Sequence, residues 1–132
     1  MVWNTNGESV NFNETEIPTL SGVDIFSNSD KNADYRITKK KYLLRSKTLN
    51  QILEDHNAPK YIDYISIDCE GSELKILEGF NFERYRVKIF SIEHNFRKDF
   101  NPIVELMESK GYEIKFNELT NIDFLFIKKQ NF

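Results

Sequence analysis

Apolar and polar positions change period several times along this chain, and the clearest change lies at residues 61–95, YIDYISIDCEGSELKILEGFNFERYRVKIFSIEHN. Two apolar runs, residues 64–67 and 87–92, bracket a segment where Leu74 and Leu77 recur at helical spacing. Strand, helix, strand over about thirty residues is a βαβ unit, and its crossover is right-handed in nearly all cases. Both strands then deliver their carboxyl ends to one edge, where open α/β sheets bind ligands. Asp68 and Glu70 follow the first run; Glu93 and His94 end the second. All four are expected to converge on one rim, and they are the catalytic candidates.

The pattern around this unit predicts further elements. Leu49, Ile52 and Leu53 form an i, i+3, i+4 stripe, so residues 48–56 are expected as a helix. Thr48 is its N-cap, with Gln51 at the capping-box position, and Pro59 lies beyond its end. Residues 70–78 form the helix after the first strand, with Glu70 and Glu73 in its first turn and Gly79 as its C-cap. Asn101 is expected to cap a helix that has Pro102 first and Ile103, Leu106 and Met107 as its apolar stripe; Gly111 stops it. Residues 112–116 and 124–127 are strands, and the link between them is too short for a crossover, so they pair antiparallel.

Upstream the pattern weakens. Asn6-Gly7 between short β-like runs predicts a hairpin over residues 1–12. No period holds through residues 13–41, which are expected as a loop region. Residues 42–132 then form the α/β core of a single domain spanning residues 1–132. Lys39, Lys40 and Lys41 begin a basic cluster, read either as a phosphate patch or as lysines that discourage edge-to-edge strand pairing.

Composition narrows the function classes. The chain has 132 residues, 39% of them apolar, which suits one folded domain. A net charge of −3 is not the footprint of nucleic-acid binding. One cysteine, Cys69, excludes an internal disulfide. No run reaches the eighteen or so apolar residues of a membrane span, and no signal peptide is visible, so the expected location is the cytoplasm.

The run Ile67-Asp68-Cys69-Glu70-Gly71-Ser72-Glu73-Leu74, then Ile76-Leu77-Glu78-Gly79-Phe80, resembles the signature of FkbM-type methyltransferases. In that family an I-D-x-E-G-x-E junction is followed by a strand ending in an acidic residue, and Ile92-Glu93-His94-Asn95 fits that place. The resemblance implies a class I, Rossmann-like methyltransferase fold whose parallel strands end in a C-terminal antiparallel hairpin. It also implies S-adenosylmethionine as cofactor and a small-molecule hydroxyl, such as that of a sugar, as acceptor. By resemblance Asp68 lies beside both the cofactor's sulfonium and the acceptor.

Methyl transfer to a hydroxyl needs alignment of donor and acceptor and removal of a proton. Asp68 is the first choice for the rim. His94 titrates near neutrality and serves as base or as a structural residue. Glu70 has a site role or simply favours the helix dipole. Glu93 orients His94, holds a metal with Asp68, or ends the strand. Cys69 is expected to pack against the helix rather than act as a nucleophile. A class I methyltransferase seats its cofactor on a glycine-rich turn, yet the glycines here are Gly7, Gly22, Gly71, Gly79 and Gly111, and no two form G-x-G. The family's first strands and glycine-rich turn are therefore expected to be missing, leaving a fragment inactive alone. If a nucleotide site has been rebuilt, residues 21–30 are the place for it. The alternative is a non-catalytic partner module that self-associates or pairs with a complementing chain.

Overall fold

The computed structural model describes residues 1–26, 32–94, 100–116, 120 and 122–129. In chain order the strands are β1 (Val2–Trp3), β2 (Ser9–Thr15), β3 (Gly22–Val23), β4 (Thr38–Arg45), β5 (Lys47–Thr48), β6 (Tyr61–Ile67), β7 (Arg86–Glu93), β8 (Tyr112–Lys115) and β9 (Asp123–Lys128). Helix α1 (Leu49–Asp55) precedes β6, α2 (Glu73–Glu78) joins β6 to β7, and α3 (Asn101–Ser109) precedes β8.

The apolar runs pair as their pattern predicts. β6 and β7 are parallel, β9 runs antiparallel to β7 and to β8, and the sheet order is β6-β7-β9-β8. Register places Ile65 and Ile67 beside Phe90 and Ile92, and these beside Phe126 and Phe124, on one face. Ile76 and Leu77 of α2 and Ile103 and Met107 of α3 join that face in one core. Phe90, Ile92, Met107 and Phe126 are fully buried, each worth about 1.5–3 kcal/mol in transfer from water. The fold is thus mixed α/β, with parallel strands and a C-terminal antiparallel pair. Among the described residues no helix is long and apolar enough to cross a membrane.

The first forty-five residues differ from expectation. Residues 1–12 are not a hairpin: β1 pairs in parallel with β5, and β2 pairs with β3 and β4. Gly7 does take a positive φ of 76°, but its N–H donates to Ser46 O at 2.8 Å, and the turn carries the chain from one sheet to another. Residues 13–41 are not a structureless loop either. They hold the end of β2, all of β3, three short 3-10 turns and the start of β4. The strand was hidden because two of its buried positions are polar. Asn13 Nδ2 donates to Asp24 Oδ1 at 2.6 Å and Thr15 Oγ1 to Ile17 O at 2.6 Å, so neither needs an apolar side chain. Lys39, Lys40 and Lys41 stand exposed on β4, an edge strand of the order β3-β2-β4, as the edge-protection reading requires.

Helix ends shift as well. Thr48 Oγ1 accepts from Gln51 N at 3.1 Å, but the Gln51 side chain turns to Asp55 Oδ1 at 2.7 Å. The reciprocal capping-box bond is replaced by Thr48 N donating to Asn6 Oδ1 at 2.7 Å. Phe100, not Asn101, occupies the cap of α3, because its ring is drawn into the core. Helix α2 begins at Glu73 rather than Glu70.

Gly79 closes α2 with a right-handed φ of −86°, so its need is space rather than conformation. A Cβ there would lie 2.6 Å from Asn4 Cα and 2.7 Å from Asn4 O, both backbone atoms. The contact joins the chain's first turn to the main core, and Asn50 Nδ2 bonds Gly79 O at 2.7 Å beside it. Gly79→Ala is therefore expected to lower stability by about 1–3 kcal/mol through overpacking, read as the midpoint of urea unfolding. A midpoint equal to that of the unaltered protein would refute the close approach.

Candidate functional site

The junction after β6 explains its own motif. Glu70 and Gly71 both take positive φ, 50° and 109°. For a non-glycine residue such as Glu70 that conformation costs on the order of 1–2 kcal/mol. Glu73, three residues on, reaches back: its Oε1 accepts from Cys69 N at 2.9 Å and Gly71 N at 3.1 Å. Ser72 Oγ donates to Cys69 O at 3.0 Å. Glu73 is 1% exposed, so these N–H groups have a buried acceptor where water would not serve them.

The turn aims its two preceding acids differently. Glu70 pairs with Arg36, whose side chain is 3% exposed and also donates from Nε to Leu20 O at 3.2 Å. Glu70 thus lies outside the first turn of α2, and the helix-dipole reading of it is replaced by an ion pair to a buried arginine. Asp68 is exposed, and its carboxyl faces that of Glu93 at the end of the neighbouring strand. Carboxyl oxygens of Asp68, Glu70 and Glu93 lie within 4.8 Å of one another. Burial first, then the charges of Asp68 and Glu70, push the Glu93 carboxyl from 4.5 up to about 8. Glu93 thus keeps a proton near neutrality. Three carboxyls at this spacing suit a hard divalent cation. Here Arg36 and the Glu93 proton already offset their charge.

His94 does not join them. Successive strand residues face opposite sides, and the His94 ring stacks on Phe124 at 4.3 Å and meets Phe100 edge-on at 5.5 Å. Asp68, Glu70 and Glu93 thus bring their carboxyls together, while His94, at the same strand end, turns its ring to Phe124 and Phe100. Asn95, which completes the second motif, lies outside the described residues. Cys69 packs against the core, and burial followed by the charges of Glu73 and Asp68 raises its thiol to about 12. It is no nucleophile near neutral pH.

A cavity of about 410 Å³ opens beside the junction, lined by Asp68, Cys69, Glu70 and Ser72 on one side. Phe12, Thr19, Ser21, Gly22 and Val23 line the other. A Cβ on Gly22 would stand 3.1 Å from the Glu70 Cβ, so β3 lies close against the strained turn. Of residues 12–23 only 21–23 fall within the span expected for a rebuilt site, and nothing local in the sequence marks Arg36. Within the span 21–30, residues 21–23 line this cavity; residues 27–30 lie outside the described ones.

Open α/β sheets bind ligands outside the carboxyl ends of their parallel strands, and the clustered carboxyls and the cavity lie at that edge here. The model of the methyltransferase FkbM domain matches residues 6–114. The chain belongs to that family of methyltransferases. No curated protein and no solved structure matches it.

Two outcomes test the site. Glu73→Ala strands the N–H groups of Cys69 and Gly71 and is expected to cost about 1–3 kcal/mol for each, measured by denaturant unfolding; a loss below about 1 kcal/mol would exclude the junction role. The raised Glu93 carboxyl stabilises the fold below pH 4.5, where both folded and unfolded chains hold its proton, and that contribution fades as pH rises to about 8. Glu93→Gln cannot ionise, so its melting temperature should gain on that of the unaltered protein between pH 5 and 9. A pH-independent difference would show that Glu93 titrates normally.

Proposed function

We propose that this chain supplies the acceptor side of an S-adenosylmethionine-dependent O-methyltransferase site of Rossmann-like, class I type. The observation that carries the reading is the convergence of Asp68, Glu70 and Glu93 beside the 410 Å³ cavity. The sheet order β6-β7-β9-β8, parallel then antiparallel, is the arrangement that reading calls for.

The donor set fits one end of the cofactor. The Asp68 carboxyl beside the cavity suits a sulfonium cation and an acceptor hydroxyl. No pair of neighbouring glycines offers backbone donors for the nucleotide end. The bound cofactor supplies an electrophilic methyl group. Asp68 would accept the hydrogen bond of the acceptor hydroxyl and hold its proton, while the cofactor would give up its methyl group and keep its sulfur as a neutral thioether. Glu93 holds its own proton toward Asp68, which orients that carboxyl. Arg36 fixes Glu70 and, through Leu20, the roof of the cavity. Phe12, Thr19 and Val23 shape the acceptor side, and a small-molecule alcohol such as a sugar suits this volume.

The glycine-rich segment then comes from elsewhere than these 132 residues. Lacking two or three charge-assisted hydrogen bonds of roughly 1.5–3 kcal/mol each, a micromolar site weakens by about two to six orders of magnitude. Titration calorimetry of the isolated chain with millimolar S-adenosylmethionine is expected to show no saturable heat. A micromolar dissociation constant abolished by Asp68→Ala would instead make this rim a complete cofactor site. In an enzyme completed with a glycine-rich segment, Asp68→Asn should lower kcat by about a hundredfold or more.

A second reading draws on β6. It is the edge of its sheet, and Tyr61 and Tyr64 on it are 71% and 54% exposed. Such an edge favours pairing with a further strand, from a second copy or a complementing chain, and the protein would then act as a partner module. A monomer in sedimentation at high concentration would count against it.

A further inference from the structure

The opposite end of the sheet carries a second constellation. Tyr61 opens β6 and pairs in register with Arg86, which opens β7; Tyr112 pairs with Lys128. Asp63 and Lys88 follow two positions on from Tyr61 and Arg86, so they share the same face. Together with Phe82 and Lys129 these residues line a cavity of about 820 Å³, the larger of the two described here.

Charge there runs against that of the chain. Arg86, Lys88, Lys128 and Lys129 face Asp63 and Glu83, four cations against two acids, in a protein of net charge −3. Edge protection does not account for them, since β7 and β9 are interior strands of the order β6-β7-β9-β8. Among the described residues no ion pair involves Arg86, Lys88 or Lys129. Aromatic rings interleave with the cations: Arg86 lies 5.8 Å from the Tyr61 ring centroid, Lys128 4.7 Å from that of Tyr112, and Lys110 5.7 Å from that of Phe82. Tyr61 is 71% exposed and offers a planar surface next to cations that form no ion pair among the described residues.

We propose that this groove is a second binding site, for a phosphorylated small molecule that carries a planar ring, as a nucleoside triphosphate does. Phosphate oxygens meet Arg86, Lys88 and Lys129, and the ring stacks beside Tyr61. The volume falls within the roughly 300–1,000 Å³ of small-molecule sites. The six residue steps from Tyr61 to Ile67 separate it from the Asp68 rim by roughly 20 Å. It is thus a separate site, and the sulfonium cofactor lacks the phosphates that Arg86, Lys88 and Lys129 meet.

Titration calorimetry of the 132-residue chain at low salt, with adenosine triphosphate and with inorganic tripolyphosphate, tests the site. The triphosphate should bind saturably with a dissociation constant below about 1 mM, and tripolyphosphate more weakly. Lys88→Glu should weaken both about tenfold or more. Tyr61→Ala should weaken the nucleotide toward tripolyphosphate and leave tripolyphosphate unchanged. Asp68→Asn should change neither, which separates this groove from the rim. Circular dichroism checks that each variant folds, and Lys88→Gln with Lys129→Gln replaces the charge reversal where it does not. Absence of saturable heat, equal affinity for the two probes, or loss of binding in Asp68→Asn would each overturn the proposal.

Discussion

The two hydrogen bonds that Glu73 accepts from Cys69 and Gly71 hold the turn after β6 together. They let a non-glycine residue, Glu70, sit in the left-handed region, and that turn sends Asp68 and Glu70 to different partners. One meets Glu93 on the next strand; the other meets Arg36 from the amino-terminal part. With an ordinary helical start at residue 70, neither meeting would have this geometry. The spacing from Glu70 to Glu73 is thus a backbone requirement, and the carboxyl cluster is its by-product.

Two small cores share the load. Trp3, Val10 and Val23 form one, and the sheet face under α2 and α3 forms the other. Besides Val2 against the main core, they touch through small residues and polar links: Gly79 against Asn4, Gly22 against Glu70, and Arg36 at Glu70 and Leu20. The rim cavity lies at this seam, walled by both parts. Its shape depends on how the amino-terminal sheet seats on the junction.

Much of the main sheet was legible because its strands are apolar runs and the β8–β9 link is too short for a crossover. The amino-terminal sheet was not, since Asn13 and Thr15 occupy buried positions, where Asn13 Nδ2 donates to Asp24 and Thr15 Oγ1 to the Ile17 carbonyl. Such pairing leaves no apolar alternation to read. At the site, Asp68, Glu70 and Glu93 followed from the strand ends. His94 was separable from Glu93 on the sequence alone, because consecutive residues of a strand face opposite ways. Arg36 was beyond reach: its partner lies thirty-four positions away, and only folding brings them together.

Cys69 sits at the centre of that junction with its thiol raised to about 12. An alkylating reagent needs the thiolate, so the folded chain reacts with it slowly, and faster whenever the turn opens. The sole sulfhydryl of the protein is therefore a native clock. Its labelling rate under mild conditions reports how often the junction around it opens, with no residue changed.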